Sequence, residues 1–170
     1  ATEPPPTNTR RPTATPSPIP TLPPVPPTHT PTLTPTATLW ATRAPWPFTC
    51  EVELRRPEYG QWSGVAGHLE DKNGFPLPGY FVKLEGPVSV PAILVGENSR
   101  INAIYGNEAA WEQAYNPTAY QVMSIRIQLC RLLESGECEI ISDVIPVELG
   151  GYASSSLGYV TCILNWEDWP

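Results

Sequence analysis

The sequence predicts an all-β protein in which an antiparallel sandwich follows an extended tail of the polyproline II type. Fifteen of the 23 prolines and 13 threonines lie in residues 1–47, whereas residues 48–170 read as short strands separated by turn residues, with almost no helical periodicity. The tail composition has too few large apolar side chains to offset the entropy of ordering the backbone. We therefore expect a tail over 1–47 and one domain with a core over 48–170.

The tail is predicted to be long compared with the domain. Two copies of a four-residue unit, Thr-Pro-Thr-Leu and Thr-Pro-Thr-Ala, occupy residues 30–37. Polyproline II rises about 3.1 Å per residue, so the tail can reach about 145 Å. A domain of this size has a radius of gyration of about 14 Å. The tail is thus long enough to pass several neighbouring domains.

The hydroxyl residues of the tail are candidates for modification. Threonine-rich and serine-containing stretches with proline are typical of O-glycosylated stalks, although unmodified flexible linkers have the same composition. A usable N-glycosylation sequon is absent, because Asn116 is followed by Pro117 and no other Asn has Ser or Thr two residues later. The candidates for O-glycans are Thr7, Thr9, Thr13, Thr15, Ser17, Thr21, Thr28, Thr30, Thr32, Thr34, Thr36, Thr38 and Thr42.

Charge divides between the two parts of the chain. The tail has three arginines and one glutamate, a net charge of +2, and the rest has seven basic and 16 acidic residues, a net charge of −9. The domain has no basic run, which argues against nucleic acid or an anionic membrane surface as a partner. No stretch of about 18 apolar residues exists, so we expect no membrane insertion.

Seven strands are predicted after the tail. The segment 96–115 is less regular, with at most one short helical turn near Glu108 to Gln113, and Asp71-Lys72-Asn73-Gly74 is typical of a hairpin turn. The predicted strands are 46–56, 62–70, 79–85, 88–95, 120–131, 137–148 and 158–166.

Alternation within the strands predicts how the four cysteines pair. Cys50 alternates with apolar residues from Ala44 to Leu54, and Cys162 alternates with Val160 and Leu164, so both are predicted to point towards the core and to form a disulfide. Cys130 is predicted to face outward and to pair with Cys138 across a hairpin loop. Two disulfides beside a Thr/Pro stalk indicate a secreted or cell-surface protein from an oxidising compartment. The start at Ala1 fits a processed mature chain.

The run from Trp62 to Gly86, WSGVAGHLEDKNGFPLPGYFVKLEG, resembles the opening of carboxypeptidase-regulatory-like domains and the B-type repeats of bacterial surface adhesins. The shared features are a strand with an inner glycine, a D-x-N-G turn, P-L-x-G and a V-x-L strand. Later runs, including Tyr105-Gly106 and Cys162 to Trp166, resemble a variant found in Thr/Pro-stalked secreted bacterial proteins. The resemblance implies a seven-stranded prealbumin-like or immunoglobulin-like sandwich that acts as a spacer, stalk or adhesin module. It implies no catalytic residues.

The sequence offers little for catalysis. His68 lies on a predicted strand without a nucleophile pattern and is expected to be structural. Glu70, Asp71 and Asn73 lack the ligand series of an EF-hand loop. We therefore expect no enzyme, no metal and no cofactor apart from covalent glycans.

Aromatic residues near the ends of the domain, together with Leu39, are the candidates for contacts between subunits, because exposed tryptophans fill partner pockets or stack on sugars. Alternation also favours an ordinary core position for Trp46 and Trp166. The interface candidates are Leu39, Trp40, Trp46, Phe48 and Trp169.

These features predict a structural subunit of an extracellular bacterial filament, a homopolymer joined head-to-tail. Residues 38–48 of one copy would add to an edge strand of the next copy or lie in an apolar groove. One alternative is a binding module on a stalk, with carbohydrate as a possible ligand. Another is that the chain is a fragment of a larger surface protein.

Overall fold

A computed structural model describes residues 44–166 and Trp169. The tail candidates from Thr7 to Thr42, with Leu39 and Trp40, lie outside the described residues. The elements are strands β1 (Phe48–Arg55), β2 (Ser63–Glu70), β3 (Phe81–Glu85) and β4 (Ile93–Leu94), helix α1 (Ser99–Tyr105), strands β5 (Ala110–Asn116), β6 (Met123–Leu132), β7 (Cys138–Ile140) and β8 (Ile145–Leu149), a short 3-10 turn (Ala153–Ser155) and strand β9 (Leu157–Leu164).

The strands form two sheets, which confirms the all-β fold. One sheet has the order β1-β9-β2-β5, and the other runs β4-β3-β6, with β7 and β8 pairing with successive parts of β6. Nine strands are present in the described chain, where seven were predicted. The pair β2 and β9 is parallel, while every other pair is antiparallel. The first sheet is therefore mixed, because β9 runs antiparallel to β1 and parallel to β2.

The core fills the space between the sheets. Alternate residues of β6 are buried from Met123 to Leu129, as the period of two predicts. Gly67 of β2 allows a close approach of β9, because a Cβ atom there would lie 2.1 Å from the carbonyl oxygen of Val160. The predicted turn at Asp71 is also present, with its Oδ1 accepting from the backbone N–H groups of Asn73 at 2.7 Å and Phe75 at 2.9 Å.

The prediction for residues 96–115 was wrong. Helix α1 lies where no element was predicted, and β5 replaces the helical turn expected near Glu108 to Gln113. The Asn98 side chain accepts from the backbone N–H groups of Arg100 and Ile101 at the start of the helix, and Gly106 ends the helix with a φ of 65°. Ile101 is the buried residue of the helix, so the helix leaves no apolar periodicity in the sequence.

Two predicted strands are also shorter or broken. The segment 88–95 pairs only as β4, and 137–148 is divided between β7 and β8. The break follows from Ser142, whose buried Oγ accepts from the backbone N–H of Leu129 at 2.8 Å. A side chain thus takes the place of a backbone partner of β6 at this point.

Both disulfides have the predicted pairing. Cys50 is joined to Cys162 and Cys130 to Cys138. Cys130, however, is fully buried, although it was predicted to face outward. It lies opposite Phe81 on one side and Ile140 on the other, so neighbouring strands cover it.

Candidate functional site

The two sheets meet at one point along the edge formed by β1 and then separate. The backbone N–H of Ile141 donates to the oxygen of Leu129 in one sheet, at 3.0 Å, and the oxygen of Ile141 accepts from the N–H of Phe48 in the other, at 3.2 Å. Phe48 and Ser142 also form a parallel bridge. Beyond this bridge, β1 and the segment that leads into β8 run in the same direction without pairing in the described chain.

An apolar groove, called here the β1–β8 groove, opens between these two segments. Its volume is about 410 Å³. One wall is β1 with the residues before it, and the other is the segment 142–146. The lining residues are Pro45, Trp46, Phe48, Thr49, Cys50, Val52, Ser142, Asp143, Val144, Ile145 and Pro146.

The predicted apolar face of β1 is only partly covered, which corrects the sequence-based expectation. Phe48 is buried, whereas Val52 is 37% exposed and Leu54 is 44% exposed. Alternation correctly predicted which side chains share a face, but the opposite sheet does not extend over the second half of β1. Of these two uncovered apolar side chains, Val52 lines the groove.

The register of β1 determines which backbone groups face away from β9. The Cα atoms of Cys50 and Cys162 are 4.1 Å apart, a separation typical of a pair that does not exchange hydrogen bonds in an antiparallel ladder. The N–H and C=O of Cys50 consequently point away from β9, and by alternation those of Val52 and Leu54 do the same. No described strand pairs with this edge from Cys50 to Leu54.

The residues before β1 are held at one end of the groove. The Trp166 indole N–H donates to the oxygen of Ala44 at 2.9 Å, and the backbone N–H of Asn165 donates to the oxygen of Pro47 at 2.7 Å. Trp46 lines the groove and is half-buried, and Phe48 packs edge-on against Tyr80 with the ring centres 5.1 Å apart. Of the described interface candidates, these two reach the groove.

Trp169 lies elsewhere, in contact with its own domain. The Arg131 guanidinium carbon is 4.3 Å from the centre of the Trp169 ring, and Trp166 packs edge-on against the same ring at 5.3 Å. Arg131 also forms a salt bridge with Glu139, with 2.8 Å between Nη2 and Oε2. The structure thus places Trp169 among partners within the domain and does not bring it into the groove.

A second surface feature is a polar cluster on the outer face of the first sheet. The hydroxyl of Tyr59 donates to Glu112, and that of Tyr105 donates to the same carboxylate at 2.7 Å. Burial and the neighbouring Glu112 raise the pKa of Tyr59 to about 12 and also raise the pKa of Tyr105. The Arg55 guanidinium lies 3.6 Å from the ring centre of Tyr159. The hydrogen bonds of this cluster are directed within the domain.

A third surface feature is a shallow cavity beside the Asp71 turn. It is lined by Asp71, Lys72, Asn73, Leu77, Leu164 and Trp166. Because both oxygens of Asp71 accept hydrogen bonds within the turn, the cavity offers fewer free polar groups than its composition suggests.

The opposite wall of the β1–β8 groove was not predicted as a site. Pro146 is the one signal in the sequence, because proline within a strand is typical of an edge strand. Within residues 44–166 and Trp169, no group of three or more His, Cys, Asp or Glu residues could hold a metal, and no helix has the length and apolar character needed to cross a membrane. Comparisons of the chain with protein families, curated proteins and solved structures find no match.

Proposed function

We propose that this protein is a non-catalytic structural subunit of an extracellular filament, in which the N-terminal tail of one copy binds the β1–β8 groove of the next. The observation that carries the proposal is the open edge of β1. The backbone groups of Cys50, Val52 and Leu54 are unpaired on this edge, and Val52 and Leu54 also carry uncovered apolar side chains. Addition of an extended peptide requires both features together, because the backbone provides affinity and the side chains provide specificity.

Assembly through a tail and a groove leads to a fibre. The two surfaces that meet are different, so each added copy presents a new groove or a new tail, and the chain of contacts does not close unless its rotation makes a ring. A tail that reaches about 145 Å in polyproline II form can cross more than one neighbouring domain. O-glycans on its threonines would coat the outside of the fibre.

Two further observations support an extracellular structural role. Two disulfides are typical of oxidising compartments. The resemblance of residues 62–86 to carboxypeptidase-regulatory-like modules, with a prealbumin-like or immunoglobulin-like sandwich, supports use as a spacer or an adhesin.

Electron microscopy of the native secreted protein tests the proposal. We expect regular fibres from the full chain and dispersed folded monomers after deletion of residues 1–40. Dispersed particles from the full chain would contradict the filament, and fibres from the shortened chain would contradict assembly through the tail.

A stalk-tethered binding module is the second candidate function. The cavity beside the Asp71 turn favours it, because Trp166 lies there with Asn73, and carbohydrate sites combine an aromatic ring with amide groups. Under this alternative the protein is a monomer whose tryptophan fluorescence changes when polysaccharide is added. A Trp166→Phe variant that responds unchanged would argue against this cavity.

A further inference from the structure

The proline pattern of the tail singles out one segment that can pair as a strand. Proline has no backbone N–H, so a segment that adds to a sheet edge needs a run without proline. The longest such run within residues 1–47 is 36–44, between Pro35 and Pro45. Every residue of this run can donate a backbone hydrogen bond.

The same segment alternates in the manner of a strand with one apolar face. Small and apolar residues occupy the odd positions and threonines occupy three of the four even positions, and a period of two places these sets on opposite faces. The odd set is Ala37, Leu39 and Ala41, and the even set is Thr36, Thr38, Trp40 and Thr42.

The segment is long enough to cover the free edge of β1 and suits it in character. A strand rises about 3.4 Å per residue, so residues 50–54 extend about 17 Å and residues 36–42 about 24 Å. The groove is lined by apolar side chains such as Val52 and Ile145. Leu39 and its alanine neighbours are small enough to enter it.

We propose that residues 36–42 of a second copy add as a strand to the free edge of β1, with Leu39 in the β1–β8 groove. This inference rests on the proposed function and names the segment that carries it. The added strand pairs with the N–H and C=O groups of Cys50, Val52 and Leu54. Its threonines then face solvent, where glycans can be attached without blocking the contact.

This assignment moves the docking segment towards the N-terminus. Residues 38–48 were predicted to dock, but Pro47 and Phe48 are buried in their own domain and Ala44 is held by Trp166. These residues therefore belong to the acceptor. The donor segment ends before Ala44.

A second copy fits the groove better than the tail of the same molecule. Residues 45–47 form a bend before β1, and the backbone N–H of Asn165 holds Pro47 beside β9. A tail that turned back directly before Ala44, with a two-residue loop, would place residues 30–37 beside β1. Pro31 and Pro35 would then lie in the pairing segment, and Leu39 would lie outside the groove.

Charge also favours a contact between the tail segment and the edge of β1. The exposed face of β1 carries Glu51 and Glu53, and Asp143 lies at the groove. Arg43 follows the donor segment directly, and the tail has a net charge of +2 against −9 for residues 48–170. Opposite charges steer association and disfavour other arrangements.

Photo-crosslinking of the full chain tests the assignment. The photoreactive residue p-benzoylphenylalanine replaces Leu39, and the chain is mixed with an equal amount of ¹⁵N-labelled wild-type chain before assembly. After irradiation and digestion, mass spectrometry should find adducts between unlabelled residue 39 and labelled peptides from 49–56 or 142–148. The control places the same residue at Leu22, between Pro20 and Pro23, and should yield few or none of these adducts.

The outcomes separate this inference from the filament itself. Fibres with residue-39 adducts at other surfaces, or only within one chain, would overturn the segment assignment and leave the filament standing. A full chain that never assembles would overturn the proposed function. As a second measurement, Leu39→Pro should lower the assembled fraction at least tenfold in a sedimentation assay and Leu22→Pro should not. Equal assembly of the two variants would also overturn the assignment.

Discussion

Cys50 and Cys162 lie directly opposite each other in β1 and β9, and the disulfide that joins them crosses a sequence separation of 112 residues. The other disulfide, between Cys130 and Cys138, crosses only eight. In the chain-entropy description the longer loop contributes more to stability, because it restricts the unfolded chain more strongly. Only the first disulfide also forms part of the groove.

We therefore expect the two disulfides to differ in their effect on stability. The double change Cys50→Ala with Cys162→Ala should lower the free energy of unfolding by about 3 to 5 kcal/mol, and Cys130→Ala with Cys138→Ala by about 2 to 3 kcal/mol. Urea unfolding followed by tryptophan fluorescence measures both. A larger loss from the second pair would show that chain entropy does not dominate.

Substitution of a groove residue should block assembly without unfolding the domain. Val52→Lys places a charge among the apolar side chains of the groove, yet the domain tolerates it because Val52 is 37% exposed. The matched control is Val122→Lys, since Val122 is 72% exposed and lies outside the groove lining. We expect wild-type fibres from the control and at least a tenfold loss of sedimented material from Val52→Lys. The circular dichroism spectrum should be unchanged in both variants. Equal assembly of the two variants would exclude the groove as the docking site.

Gly67→Ala should destabilise the domain, because the new Cβ would lie 2.1 Å from the oxygen of Val160 and 3.1 Å from the ring of Trp111. Overpacking of this kind typically costs about 1 to 3 kcal/mol. Gly151→Ala is the control, since its nearest neighbour would be a Val122 methyl carbon at 3.5 Å. Thermal unfolding should show a clear loss for the first variant and little change for the second. Similar thermal unfolding midpoints for the two variants would mean that β2 and β9 can move apart without loss of stability.

The tyrosines around Glu112 should make stability fall at alkaline pH. The pKa of Tyr59 is raised to about 12 in the folded protein, whereas an unfolded tyrosine has a pKa of about 10. Between these values the unfolded chain loses its proton and the folded one keeps it, so the folded state loses stability as pH rises. The contribution is fully present below about pH 10.

Glu112→Gln removes the negative charge that raises these pKa values and keeps an oxygen as acceptor. We expect part of the tyrosine absorbance change at 295 nm to move to lower pH in this variant. Glu148→Gln serves as the control, because Glu148 accepts a hydrogen bond from Ser124 and not from a tyrosine. Identical titration curves for both variants would show that burial alone raises the pKa of Tyr59.

Strong local patterns in the sequence predicted much of the fold. The alternation of Met123 to Leu129 correctly indicated a strand with one buried face, and the Asp71 turn was evident from its residue types. Alternation also yielded the cysteine pairs. These features depend on near neighbours in the chain, which is why they can be predicted without tertiary information.

The elements that were missed depend on tertiary contacts. Residues 112–116 of β5 are all half-buried, so the strand shows no alternation to detect. Helix α1 had only its end residues as a signal, Asn98 and Gly106. The extent of the groove could not be predicted, because the exposure of Val52 and Leu54 depends on where the opposite sheet ends. Pro146 indicated only an edge strand.

The position of the first disulfide also determines how the domain bears load. Force applied to the N-terminal tail is transmitted to the domain at Ala44 and reaches Cys50 six residues later. There a covalent bond passes the force to β9, which lies between β1 and β2 in the sheet. β1 cannot be peeled away one hydrogen bond at a time, so tension is shared with an inner strand. In a filament held by its tails, the weakest point under tension would then lie at the contact between copies, outside the fold of each copy.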